Sequence, residues 1–188
     1  MKRLLFLLTI IFIGIVASSA QNSTDIGKNN AKETLYKEAV EALDQQRFIV
    51  TFHAEEWKSR NRLDLDSKRN FLIVDGQKGF FQKSIKSDFS SKNMTGGYGL
   101  TPLKMMESDV VKTRKVYNKK GDILYTVLLE GESNLFGGKN IKEAKITLKQ
   151  GSHDVVVKVK YKGGDSTVYI GSLHPIDAVS VERGTPYR

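Results

Sequence analysis

A mainly β fold is predicted for this chain: an antiparallel sandwich or partly open barrel of about eight strands with one N-terminal helix. Three observations predict it. From Arg47 onward, apolar and polar side chains alternate with a period of two. Turn-forming residues interrupt the alternation at short intervals, which leaves no room for repeated crossover helices and so implies antiparallel pairing. Only the stretch 31–46 carries apolar residues at helical spacing.

That helix places Leu35, Ala39, Ala42 and Leu43 on one face, with Tyr36 and Val40 beside them, and Asn29 or Asn30 can cap its start. One apolar face requires a larger body to pack on. The strands follow in order. Phe48, Val50 and Phe52 alternate with Ile49, Thr51 and His53. Asn70 to Val74 is a short apolar run that ends in the turn signal Asp75-Gly76. Lys104 to Tyr117 holds one or two strands, and Asn118 to Asp122 turns the chain. Ile123 to Glu130 is apolar on both faces, the pattern of a central strand covered on each side. Asn134 to Lys139 reads as a glycine-containing loop.

The clearest rhythm comes next. Ala144, Ile146 and Leu148 face one way, and Lys145, Thr147 and Lys149 the other. Beyond the turn at Gln150-Gly151-Ser152, Val155, Val157, Val159 and Tyr161 face inward while Lys158, Lys160 and Lys162 face out. Gly163-Gly164 offers a tight hairpin, and Thr167 to Gly171 returns as another strand.

The first twenty residues have the three parts of a secretory leader: Lys2 and Arg3, an apolar run from Leu4 to Val16, and Ser18-Ser19-Ala20 for cleavage. The apolar run is shorter than the roughly 20 residues of a spanning helix. The expected organisation is a signal peptide at 1–20, a flexible segment at 21–30 and a single mainly β domain at 31–188. The processed product would be soluble, periplasmic or extracellular, with no transmembrane segment. Cleavage after Ala20 leaves 168 residues, 28 basic against 21 acidic, a net charge of +7. With no cysteine, packing alone must hold the fold, without disulfides or thiolate metal sites.

The same residues carry a family resemblance. The helix AKETLYKEAVEALDQQ leads directly into RFIVTFHA; then come NFLIVDG, the Gly96-Gly97-Tyr98-Gly99 loop, a turn-linked strand pair, and YIGSL with Pro175 near the close. In this order, over 31–175, the chain resembles an exported Bacteroidetes family known as domain of unknown function 4251. The resemblance implies export and a mainly β domain with one N-terminal helix. It implies no activity, because none is established for the family. Residues 176–188 extend beyond where such domains are expected to stop.

Catalytic chemistry finds little to stand on. His53, His153 and His174 are far apart in sequence and form no metal-binding pair of the HExxH kind. There is no G-x-S-x-G elbow and no thiol nucleophile. Ser172, His174 and Asp177 read as a turn, because a triad is set by geometry and not by proximity in sequence. Glu55 and Glu56 point to opposite faces of a strand and cannot form a carboxylate pair. The glycine loop lacks the Lys-Ser/Thr of a phosphate-binding loop, and no basic–aromatic pattern suggests nucleic acid. No catalytic residue, metal ligand or cofactor is expected.

A binding role remains. The stretch SSKNMTGGYGLTP surrounds Tyr98 with Gly96, Gly97 and Gly99. Tyr98 either covers a ligand or plugs the end of the sheet. With Trp57 and the adjacent pair Phe80-Phe81 it makes up the candidate ligand region. The expected function is a non-enzymatic binding or envelope-associated module for an apolar or glycan-like ligand. The alternatives are an enzyme acting on glycan or cell-wall substrates, and a structural or interaction protein whose basic face meets an anionic envelope surface.

Overall fold

The structure, a computed structural model, describes residues 30–56, 61–84, 104–131 and 141–186. The leader, most of the expected flexible segment, the loop at 134–139, Trp57, Gly96, Gly97 and Tyr98 lie outside the described residues. Helix α1 spans residues 30–44 and ends in a turn at Gln46, whose φ is +53°. Strands β1 (Arg47–Glu56), β2 (Arg62–Asp64), β3 (Phe71–Asp75), β4 (Lys78–Gln82), β5 (Lys104–Tyr117), β6 (Ile123–Glu130), β7 (Ile141–Leu148), β8 (Asp154–Tyr161), β9 (Ser166–Pro175) and β10 (Thr185–Pro186) follow.

Eight of these strands close into an antiparallel barrel in the order β1-β9-β8-β7-β6-β5-β4-β3, with β3 returning to β1. Of the two architectures the alternation allowed, the barrel is the one formed. The seam is β5: its first half pairs with β4 and its second half with β6, overlapping at Asp109. A bulge between Val110 and Lys112 bends this 14-residue strand from one partner to the other. Outside the circuit, β2 extends β1 and β10 lies parallel to β5.

The inward rows fill the barrel. Phe48, Val50, Phe52, Leu72, Val74, Ile123, Tyr125, Val127, Ile146, Val157 and Tyr169 belong to one buried cluster, as expected for an eight-stranded interior just wide enough for side chains. Ala39, Ala42 and Leu43 of α1 join the same cluster, so the helix closes the end where β1 and β6 begin. Lys115 Nζ donates to Asp44 Oδ1 at 2.7 Å and ties helix to wall. Apolar side chains inside and lysines outside invert the polarity of a membrane-spanning barrel. Among the described residues, no helix is long and apolar enough to cross a membrane.

Four details depart from the sequence expectation. Ser172 and His174, read as part of a turn, lie in β9 and pair with Thr51 and Ile49 of β1. Lys78–Gln82 is a strand, hidden in sequence because KGFFQ is short and its two aromatics are adjacent. The hairpin after β8 turns over 162–165, with only Gly164 at positive φ (+89°). β6 is covered on one face alone: Ile123, Tyr125, Val127 and Leu129 are buried, while Leu124 remains 40% exposed on the outside.

The C-terminal residues form a strap. After the 3-10 turn Ile176–Ala178, they cross the outer face of β1, β3, β4 and the start of β5. Ile176, Val179 and Val181 cover a second buried cluster of Ile49, Phe71, Ile73 and Met105, with Phe80 against it. Gln82 pins the strap: its Nε2 donates to the Glu182 carbonyl at 2.7 Å, and its Oε1 accepts from the Gly184 N–H at 2.6 Å. Arg69 Nε lies 2.7 Å from Glu182 Oε2. Residues beyond 175, which the family resemblance did not reach, therefore complete the outer layer of this fold.

Candidate functional site

The end opposite α1 is built differently. β1 ends there, β4 ends there, and β8 turns there into β9. The strand alternation of Phe48, Val50 and Phe52 would send Ala54 inward and Glu55 outward. A bulge between Phe52 and Ala54 reverses this, leaving His53 exposed and pairing Ala54 with Ile170 and Glu55 with Tyr169. Glu55 thus points into the barrel end. Gly171 permits the bulge, because a Cβ there would collide with the Thr51 carbonyl.

Across the opening, Lys83 follows β4 with inward parity and meets Glu55. Nζ donates to Oε1 at 2.9 Å and lies 2.8 Å from Oε2, which has no aligned hydrogen bond among the described residues. The carboxylate side chain is 3% exposed and the ammonium side chain 25%. The ammonium also stands 5.9 Å from the centre of the Tyr169 ring, within cation–π range.

Beneath the pair lies an aromatic floor. Tyr169 stacks on Phe52 with centroids 4.6 Å apart, and Phe81 meets Tyr169 at 5.9 Å and Phe52 at 6.0 Å. The Tyr161 and Tyr169 hydroxyls are 3.1 Å apart. Burial pushes the Tyr169 phenol far above its ordinary pKa, reinforced by Tyr161 and by the Glu55 charge. The phenol is held neutral, and either hydroxyl of the pair can be the donor. Among the described residues, the arrangement sets a partly exposed cation on a buried carboxylate above a rigid aromatic layer. The ammonium can bind and orient a polar group.

The candidate residues read from sequence fall unevenly around this site. Phe81 lies in its floor, buried to 6% exposure. Phe80 points to the opposite face and packs beneath the strap, so the aromatic pair is divided between two layers. Trp57 follows Glu56 directly, and the segment with Gly96, Gly97 and Tyr98 joins β4 to β5; both leave and re-enter the described chain at this rim. Glu55, Lys83, Tyr161 and Tyr169 escaped the sequence reading as a group. Their one signal was a set of polar or hydroxyl groups at strand ends, and their convergence needs both the bulge and the strand order.

The histidines are partly brought together. His153 and His174 stand with ring centroids 5.2 Å apart at the helix end, on the outer surface. Burial holds the His174 imidazole below its ordinary pKa, and neighbouring His153 adds to the effect. His53 is distant and exposed. Among the described residues, no three of His, Asp and Glu gather as a metal-binding group, and no side-chain hydrogen bond or ion pair joins a histidine to a carboxylate.

No family model matches the chain, and no curated protein does. Among solved structures, the fold is similar to that of a DUF4251 family protein from Bacteroides eggerthii, with a TM-score of 0.61 over 80% of this chain and 94% of that one. The two are 22% identical, so the likeness is one of fold. The chain thus resembles this family in three dimensions as well as in the order of its sequence motifs.

Proposed function

We propose that the chain is an exported, non-enzymatic binding module that takes a glycan-like or other hydroxyl-rich ligand at the ionic end of the barrel. One observation carries this reading: a buried carboxylate and a partly exposed lysine sit over the aromatic floor at this barrel end. Burying a charge pair is a poor way to gain stability, because desolvation offsets most of the attraction. The lysine has two further protons to offer, and the stacked floor excludes water beneath it. The interior is filled by Phe52, Phe81 and Tyr169, which favours a ligand on the rim over one inside the barrel. Trp57, Gly96, Gly97 and Tyr98 are proposed to complete the site, since their segments are anchored at this rim.

The test is calorimetric titration of the purified protein with a panel of soluble cell-wall oligosaccharides. Lys83→Met and Tyr98→Ala should each weaken a detected interaction at least tenfold while far-UV circular dichroism stays unchanged. Wild-type affinity in both variants would remove the rim as the site. Terminal sequencing of the exported product should begin at Gln21, and retention of the leader would overturn export with cleavage.

A further inference from the structure

The outer wall opposite the strap carries a second surface, independent of the rim. Cross-strand pairing arranges it in two neighbouring rows. One row runs Val116, Leu124, Thr147, Val156, Ile170 across β5 to β9. Val116, Leu124 and Val156 in it are 39%, 40% and 38% exposed. The adjacent row runs Arg114, Thr126, Lys145, Lys158, Val168 across the same strands. Its three cations are all exposed.

Two features of this face work against folding. Lys145 and Lys158 sit directly opposite each other on β7 and β8, and like charges so placed destabilise a sheet. Glu143, 3.5 Å from Lys145, offsets them in part. Aliphatic side chains stand in water beside them, where the equivalent positions of β1, β3 and β4 are covered by the strap. A stripe of cations bordering a stripe of aliphatics fits a surface that is anionic outside and apolar just beneath.

We infer that this wall docks on an anionic lipid bilayer, with Leu124, Val156 and Val116 dipping into the interface while Arg114, Lys145 and Lys158 meet lipid phosphates. Lysine suits this geometry, since its stem packs along apolar surface and its ammonium reaches the headgroups. A second copy of the chain would bring the same positive rows together. Neither row holds an aromatic ring on which a sugar or base could stack, which sets the bilayer above an acidic polymer.

The experiment is cosedimentation of the processed protein with vesicles of phosphatidylcholine alone, or with one third phosphatidylglycerol. Partitioning should require phosphatidylglycerol and fall at least tenfold between about 0.05 and 0.5 M salt. Lys158→Glu should lower it about tenfold and raise the melting temperature, because the new carboxylate faces Lys145. Leu124→Ser with Val156→Ser should lower it similarly with the salt dependence retained. Three results would overturn the inference: equal partitioning of wild type and Lys158→Glu, no partitioning at low salt, or retention on a sulfated polysaccharide without vesicle binding. The rim variant Lys83→Met should partition as wild type, which separates this inference from the ligand proposal.

Discussion

The two ends of the barrel are closed by opposite means. At one, α1 lays Ala39, Ala42 and Leu43 over the inner rows, and the chain reverses in compact turns at Gly76-Gln77, 118–122 and 149–153. At the other, Glu55 and Lys83 sit over three aromatic rings, and the connections 57–60, 85–103 and 132–140 are attached. The first end is closed mainly by apolar burial, and the strand connections there are short turns. The second gives up apolar closure for a charge pair and bears the long connections. Binding residues concentrate on loops held by a rigid scaffold, and the three connections between strands that lie outside the described residues all attach at this end.

The largest expected effect lies at the helix end. Leu43→Ala removes a side chain that is 1% exposed and should cost about 3 kcal/mol in urea unfolding. A loss below about 1 kcal/mol would mean that α1 is not a structural closure and would erase the contrast. Next, Lys83→Met leaves the Glu55 carboxylate buried without its cation. About 2 kcal/mol is expected, less than for a fully buried pair because the lysine is a quarter exposed. Adding Glu55→Gln to Lys83→Met should restore most of that loss. A double variant as unstable as the single would show that the charge pair itself, rather than its desolvation, holds this end.

Smaller still is Tyr161→Phe, which removes one of the hydrogen-bond partners of the buried Tyr169 hydroxyl and should cost about 1 kcal/mol in the same measurement. The smallest effect concerns acid and the helix end. His174 is harder to protonate in the folded chain than in the unfolded chain, whose reference value is 6.5. The unfolded state therefore binds more protons below that pH, and stability should decline as pH falls through about 6.5. Above it both states are neutral and the term vanishes. His174→Gln should flatten this slope, and an unchanged slope would assign the acid sensitivity elsewhere.

Much of the wall was legible from residues alone. The period of two in β7 and β8 separated Ile146, Val157 and Val159 from Lys145, Lys158 and Lys160, and burial follows that division. The helix was equally plain from the spacing of Ala39, Ala42 and Leu43. The site was not. A bulge at His53 changes which side of β1 Glu55 occupies, and a single inserted residue leaves no mark in composition. Phe80 and Phe81 looked like a pair because they are adjacent, yet strand geometry sends neighbours to opposite layers. The strap was hidden because Val179 and Val181 have no regular period of their own; they are buried by what they cover.

Alternation, turn residues and one helical stripe are local properties, and through them the sequence by itself determined a mainly β body with an N-terminal helix. Tertiary structure decided the rest: closure of the sheet into a barrel, the meeting of Glu55 with Lys83 and of Tyr161 with Tyr169, and the covering of one outer face by the C-terminal strap. The reason is physical. A side chain's face is set by its nearest neighbours along the strand, but its partners are set by strand order and register, which join residues as distant as Gln82 and Glu182.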